Sequence, residues 1–368
     1  TKATIGVYHV AGNVVTANNI TINGASIDAP SWVTQIAGLT INSSAVGGSI
    51  IVTGNVIGTP GAAGGIYQIG TITGASGTNI SFTSNNNISQ NGPINLAAST
   101  SSNSSNVAYD ATTGNKTSSI ATGLLSVAAG SLSNINYSVL ASGSAINVAS
   151  AVTVPGAVTL DNTYGCETAP CTKATGFITT ANASTLATAS AGVTIASAIY
   201  ATGDITIKGI SSSGAGVTYA TAINSSARSI SISGTSVGAA STSYGIHGSA
   251  AAGVVSAANT ANGYVSYVGV STLASGASDA IRTVAGATIT GGAGVNLFAD
   301  GFSGNMATGA LIRNSGTASG VTVNAYGNVS VAGITNSGVD GMRIIAGRGV
   351  AAGTTSGGNI TSVGTLTN

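Results

Sequence analysis

Charged side chains are scarce in this sequence. Asp, Glu, Lys and Arg together make up 5% of the 368 residues, and the formal net charge is +1. A typical soluble domain carries about 25% charged residues. Helical bundles use Leu, Glu, Lys and Arg heavily, so this shortage argues against a helical fold. The 9 Lys and Arg residues are scattered and form no basic patch, so we expect no nucleic-acid partner.

Aromatic residues and long apolar runs are also lacking. Aromatic residues account for 4% of the chain, although hydrophobic residues reach 43% and the mean hydropathy is +0.42. Small and β-branched residues therefore supply the apolar content, which is too high for a disordered chain. A membrane-spanning helix needs about 18 or more consecutive apolar residues. Runs such as 124–129 stop far short of that length, so we expect no membrane insertion by this segment.

Cysteine occurs twice, in the segment Cys166-Glu-Thr-Ala-Pro-Cys171. In a secreted protein two cysteines at this spacing indicate a local disulfide that closes a turn. The alternative is a metal or redox site, but a metal would need two further ligands, and His9 and His247 lie far away in sequence. We therefore predict a Cys166–Cys171 bond, an oxidising extracellular location, and no metal or cofactor.

Glycine is abundant, with 54 residues, and it brackets short words in which Ile or Val alternates with Ser or Thr. Alternation at period two is typical of strands with one buried face. Examples are 19–23, 205–208 and 229–233. This alternation predicts a set of core-facing isoleucines: Ile20, Ile22, Ile205, Ile207, Ile230 and Ile232.

The spacing of these words indicates a solenoid. Ile20 and Ile41 are 21 residues apart, Ile205 and Ile230 are 25 apart, and Val329 and Ile360 are 31 apart. Loose repetition at this period is typical of stacked β-coils, here of about 22 residues each. We therefore predict an all-β chain forming a right-handed parallel β-helix, with residues 1–368 as one elongated domain. Separate β-sandwich domains are the rival fold. The segments 98–116 and 161–173 break the pattern and are predicted to be side loops.

Both ends of the sequence are strand-like, and neither offers an obvious polar cap. Solenoids need such caps to cover their exposed strand edges. We therefore expect end-to-end contact, either with the continuing polypeptide or with copies of the same chain.

Several segments resemble the repeats of filamentous-haemagglutinin-type proteins, which are large secreted β-helical surface proteins. The clearest are 203–213, 229–236, 244–248 and 327–335. The resemblance implies an extracellular, cell-surface location and a structural or adhesive role in adhesion, biofilm or surface fibres. The partner that it implies is a host or neighbouring-cell surface, or a glycan.

An enzyme is the alternative, because parallel β-helices also cleave acidic polysaccharides. Such chemistry needs clustered carboxylates. The acids here are scattered, and the best case is Asp279 with Asp300, joined by Arg282 and Arg313. His9 and His247 are expected at surface or corner positions. We predict no catalytic residues and no enzymatic activity. A carbohydrate-active enzyme and a passive glycan-binding or ice-binding solenoid remain the alternatives.

Overall fold

A computed structural model describes most of the chain. The described residues are 6–9, 12–26, 32–36, 40–44, 46–57, 64–97, 105–111, 119–127, 135–141, 145–163, 191–237, 243–258, 260–271, 279–301, 304–347 and 358–368. They form two compact units, Thr1–Gly165 and Cys166–Asn368. Within each unit, the described residues contain strands and turns but no helix.

Unit 1 is a parallel β-helix with three faces, which we name A, B and C in the order in which each coil visits them. Strands on a face pair in parallel with the equivalent strands of neighbouring coils. Face A contains β1 (Val7–His9), β4 (Thr34–Ile36), β7 (Gly65–Gln68), β10 (Asn87–Gln90), β13 (Ser119–Thr122) and β16 (Ala145–Val148). Face B contains β2 (Val14–Ala17), β5 (Thr40–Ser43), β8 (Ile72–Gly74), β11 (Ile94–Leu96), β14 (Leu125–Val127) and β17 (Val152–Val154). Face C contains β3 (Asn19–Ser26), β6 (Ser49–Val56), β9 (Asn79–Ser84), β12 (Ser105–Ala111), β15 (Ile135–Ala141) and β18 (Val158–Asp161).

Unit 2 repeats the same three-faced arrangement. Face A contains β19 (Ala191–Ile195), β22 (Ala215–Tyr219), β25 (Ile246–Gly248), β28 (Ile281–Thr283) and β35 (Ile360–Ser362). Face B contains β20 (Ile199–Ala201), β23 (Ile223–Ser225), β26 (Val254–Ser256), β29 (Thr288–Gly291) and β36 (Leu366–Thr367). The long strands β31 (Met306–Asn314) and β33 (Val329–Asn336) run through both A and B. Face C contains β21 (Ile205–Ser211), β24 (Ile230–Ser236), β27 (Tyr264–Ser271), β30 (Gly294–Asp300), β32 (Val321–Ala325) and β34 (Met342–Ile345). The predicted parallel β-helix is thus confirmed.

The core of each unit consists of columns of apolar side chains stacked along the pairing direction. On face A of unit 1, Ile66, Ile88 and Ile120 lie in one such column. On face C of unit 2, Ile205 stacks on Ile230 and Ile207 on Ile232. All six isoleucines named from the sequence are buried. Because successive side chains of a strand alternate between its two faces, their Ser, Thr and Asn neighbours point outward.

Inward-facing glycines allow the C strands to approach the next A strand closely. Gly209, Gly234 and Gly269 are neighbours in register on face C. A Cβ atom on Gly234 would lie 2.1 Å from the carbonyl oxygen of Gly245, which immediately precedes strand β25. This corner therefore has no room for any side chain.

The coils are less regular than the sequence spacing predicts. Ile20 stacks on Ile50, 30 residues later, whereas Ile41 belongs to face B and stacks on Val15. The 21-residue step from Ile20 to Ile41 therefore joins two faces of the helix, because similar short apolar patterns occur on every face. The steps from Ile205 to Ile230 and from Val329 to Ile360 are true coil repeats.

The predicted side loop 98–116 contains a strand. Residues Ser105–Ala111 form β12, which pairs with β9 and β15. Val107, Tyr109 and Ala111 point into the core, and this apolar alternation outweighs the Ser/Asn-rich composition. In the second predicted loop, 161–173, Asp161 ends β18 and residues 164–173 lie outside the described residues. Both cysteines, Cys166 and Cys171, fall in that undescribed stretch.

Candidate functional site

The chemically richest surface in unit 2 lies on face A, where strands β25 and β28 run side by side. Register places His247 directly beside Arg282. Ile246 and Ile281 precede these residues and point into the core, so His247 and Arg282 face outward. Tyr244 and Asp279 lie just ahead of the two strands. We call these four residues the Arg282 cluster.

The ring of Tyr244 packs against both His247 and Arg282. The ring is 8% exposed and lies 4.7 Å, centroid to centroid, from the imidazole of His247. The guanidinium carbon of Arg282 lies 5.3 Å from the centre of the same ring. A cation held over an aromatic face within about 6 Å is attracted by the ring quadrupole. The Tyr244 ring therefore orients Arg282 as well as supporting His247.

Asp279 holds the other side of the guanidinium. Its Oδ2 atom lies 3.6 Å from Nη1 of Arg282. The Arg282 side chain is 49% exposed and that of Asp279 is 19% exposed. Burial raises the pKa of the Asp279 carboxyl, and the neighbouring Arg282 cation opposes that rise. Burial lowers the pKa of His247, and repulsion from Arg282 lowers it further. The cluster therefore presents an accessible cation beside an imidazole that favours its neutral form.

The candidate catalytic group in the sequence consists of Asp279 and Asp300 with Arg282 and Arg313. The structure brings only Asp279 and Arg282 together. Asp300 stacks on Val270 at the end of β30, and its Oδ1 atom accepts a hydrogen bond from the Gly301 amide at 2.5 Å. Arg313 lies on the face B part of β31, in register with Thr290. Asp279 and Asp300 are 21 residues apart in the sequence, close to one predicted coil, but their carboxylates do not stack on each other.

Sequence reasoning missed His247 as a neighbour of Arg282. The two residues are 35 positions apart, a longer step than the predicted coil. The only local sequence feature that His247 and Arg282 share is a preceding isoleucine that begins a strand. His9 ends β1 on face A of unit 1.

An aromatic pair marks the outer surface of face A in unit 1. The rings of Trp32 and Tyr67 are stacked, with centroids 5.3 Å apart and planes inclined by 17°. Tyr8 lies two strands away from Tyr67 on the same face and is 55% exposed. This surface carries aromatic rings, whereas the Arg282 cluster of unit 2 carries charge.

Rows of hydrogen-bonded polar side chains run along face C of unit 1. The amide oxygen of Asn79 accepts hydrogen bonds from the backbone and side chain of Asn106, both at 3.1 Å. Asn136 donates in turn to the Asn106 side chain at 3.2 Å. One coil earlier in the row, Ser49 donates to Asn19 through its backbone and its hydroxyl. The row is uncharged and solvent-facing.

Within the described part of the chain, no three His, Cys, Asp or Glu side chains are grouped so that they could hold a metal ion. The same residues include no helix long and apolar enough to cross a membrane. Comparison with protein-family models, with curated proteins and with solved structures finds no match to this chain.

Proposed function

We propose that this chain is a structural and adhesive module of a bacterial extracellular surface protein or filament, and that it is not an enzyme. The observation that carries the proposal is a row of uncharged polar side chains on the outer surface of face C in each unit. In unit 1 its outer row runs Asn19, Ser49, Asn79, Asn106 and Asn136. In unit 2 an outer row runs Thr206, Ser231, Ser266, Asn296 and Thr322.

Such rows suit attachment by many weak contacts. Neighbouring strands lie about 4.8 Å apart, so each row repeats hydroxyl and amide groups at a regular interval. Both groups donate and accept hydrogen bonds, as sugar hydroxyls do. A row of uncharged side chains avoids the desolvation cost that charged side chains would carry against another cell surface. Stacked apolar columns beneath the rows keep this surface rigid.

The last coil of unit 2 supports end-to-end contact. Ile360 stacks on Val329 and Leu366 on Ile334, so both continue core columns. Nevertheless Ile360 is 52% exposed and Leu366 is 44% exposed. We propose that a β-coil from a second copy of the chain covers these side chains. The contact is stabilised by burial of these apolar side chains and by pairing of β35 and β36 with strands of the added coil.

Surface display tests the adhesive proposal. The 368-residue chain is fused to an outer-membrane anchor in a non-adherent bacterium, and attached cells are counted on host-cell layers and on glass. We expect more attachment than with the anchor alone. Attachment equal to that of the anchor alone on every surface would overturn the adhesive function.

Sedimentation tests the end contact. At micromolar concentration we expect the purified chain to form end-to-end oligomers. A double variant, Ile360→Ser with Leu366→Ser, should remain monomeric. Val339→Ser is the matched control, because Val339 is 80% exposed and lies outside the described strands. A wild-type chain that stays monomeric would contradict end-to-end stacking by copies of itself.

A further inference from the structure

The Arg282 cluster concentrates charge on a chain that has little of it. The whole sequence holds 9 basic and 8 acidic residues and 2 histidines. From this small set, one Arg and one His lie against the ring of Tyr244, and one Asp lies beside the Arg. An arrangement of this kind exceeds what is needed to fold a coil, since face A elsewhere in unit 2 carries Thr, Ser and Ala at the equivalent outward positions.

We propose that Arg282 binds the carboxylate of an acidic sugar in a glycan ligand, with His247 and the adjoining outer row contacting the same sugar chain. The proposal rests on the adhesive function proposed above and names the ligand chemistry of one site within it. The contacts that support it are those of the guanidinium, the imidazole and the neighbouring hydroxyl groups.

The guanidinium of Arg282 is held in place before a ligand arrives. The Tyr244 ring lies beneath it, and Asp279 lies at one edge. Free arginine side chains lose considerable rotamer entropy when they bind. A guanidinium that the Tyr244 ring already orients avoids part of that cost, so its affinity for a ligand is higher.

The guanidinium also keeps donors for a ligand. Its separation of 3.6 Å from Asp279 exceeds the usual length of a hydrogen bond. The described residues provide no other ion pair for Arg282, and half of its side chain faces solvent. Arg presents five N–H donors in a planar fork that matches a carboxylate through two parallel hydrogen bonds.

Asp279 favours a singly charged ligand. Its carboxylate offsets much of the positive potential of Arg282, so the cluster has little attraction for a dianion such as a phosphate monoester. A carboxylate carries a single negative charge, and the planar fork of the guanidinium matches its two oxygens. Asp279 also competes for the same guanidinium, and its removal should therefore strengthen ligand binding.

The adjoining row provides contacts for sugar hydroxyls. Along face A the outward residues are, in order, Thr194, Thr218, His247, Arg282, Ala307 and Ser330. The hydroxyl of Thr218 therefore lies one strand from His247 and two from Arg282, at about 4.8 Å per strand. An imidazole in its neutral form offers one donor and one acceptor. The row thus combines neutral hydrogen-bonding groups with a single cation.

Calorimetric titration of the full 368-residue chain tests the proposal. The probes are trigalacturonate and sialyllactose, each compared with its methyl ester. We expect binding of at least one acid and no measurable binding of its ester. Arg282→Gln should weaken that binding by about tenfold or more, because charge-assisted hydrogen bonds are lost. Asp279→Asn should tighten it severalfold.

Two further variants make the result specific. Arg282→Lys keeps the charge but not the fork, so it should also lose most of the affinity. Arg313→Gln is the matched control, because Arg313 is exposed on another face of the same unit and should bind the acid as the wild type does. Thermal unfolding of each variant confirms that it is folded, and Arg282→Lys replaces Arg282→Gln if the latter does not fold.

The proposal is overturned if neither acid binds, if the esters bind equally well, or if Arg313→Gln weakens binding as much as Arg282→Gln. These outcomes differ from a failure of the adhesive function. A displayed chain that still attaches to surfaces, although neither acid binds, would remove this site alone. A chain that binds the acids but attaches to no surface would remove the adhesive function alone.

Discussion

The hydroxyl of Tyr267 donates a hydrogen bond to the hydroxyl of Tyr219 at 3.0 Å inside unit 2. Both residues are fully buried, and their rings meet edge to face with centroids 6.3 Å apart. Tyr219 enters the interior from face A and Tyr267 from face C. The pair therefore joins two faces of the unit through one polar contact within an apolar core.

Replacing one member of this pair should destabilise unit 2. In Tyr219→Phe the buried hydroxyl of Tyr267 loses its acceptor, which costs about 1–3 kcal/mol. The double variant, Tyr219→Phe with Tyr267→Phe, leaves no orphaned hydroxyl and should lose less stability than the two single variants combined. Denaturant unfolding measures all three free energies, and strictly additive losses would contradict the coupling.

Four buried phenols should make the fold sensitive to alkali. Burial raises the pKa of Tyr109, Tyr137 and Tyr267, and raises that of Tyr219 to about 12. A raised pKa in the folded state gives stability that is complete below the ordinary value of 10 and is lost as the pH rises above it. Phenolate absorbance should therefore show these four groups ionising only as the β-sheet signal disappears. Ionisation of every tyrosine near pH 10 with the fold intact would refute this.

The corner at Gly234 should tolerate no side chain. A Cβ atom there would meet the carbonyl oxygen of Gly245 at 2.1 Å, and backbone cannot move aside cheaply. We expect Gly234→Ala to cost about 1–3 kcal/mol or more, as overpacking does. Ser233→Ala is the matched control on the same strand, since Ser233 faces outward. Equal thermal stability of both variants would show that faces C and A do not meet at this corner.

His247 should make unit 2 less stable under mild acid. Its pKa is lowered by burial and by Arg282, so its contribution to stability is present above its ordinary value of 6.5 and is lost as the pH falls. Asp279 acts in the opposite direction at lower pH, because its raised pKa relieves an unfavourable charge on protonation. Arg282 and Tyr244 are the other groups that face His247.

The measurement is the melting temperature at pH 7 and at about pH 5, the range in which histidine titrates. The wild type should lose more stability over this interval than His247→Asn, which keeps a polar side chain but cannot titrate. Parallel losses in the two proteins would show that His247 does not control this response.

The fold class was predictable because apolar alternation survives on nearly every strand. Ile205, Ile207, Ile230 and Ile232 show it, and all four are buried. The coil length was harder to predict, because faces A, B and C use the same short words. Nothing local separates Ile41 on face B from the true partner of Ile20, which is Ile50.

The Arg282 cluster was only half predictable. Asp279 and Arg282 are three residues apart, so their proximity follows from sequence. Tyr244 and His247 join them only through the pairing of β25 with β28, whose register depends on the lengths of the intervening turns. Composition fixes neither those lengths nor the faces on which the residues lie.

Attachment of coated beads shows whether this solenoid is itself adhesive. Beads carrying the purified 368-residue chain are applied under flow to host-cell layers, beside beads carrying an unrelated uncharged protein. Because no other surface molecule is present, retention reports on this chain alone. We expect the solenoid beads to be retained at higher shear than the control beads. Retention equal to the control at every shear would contradict this expectation.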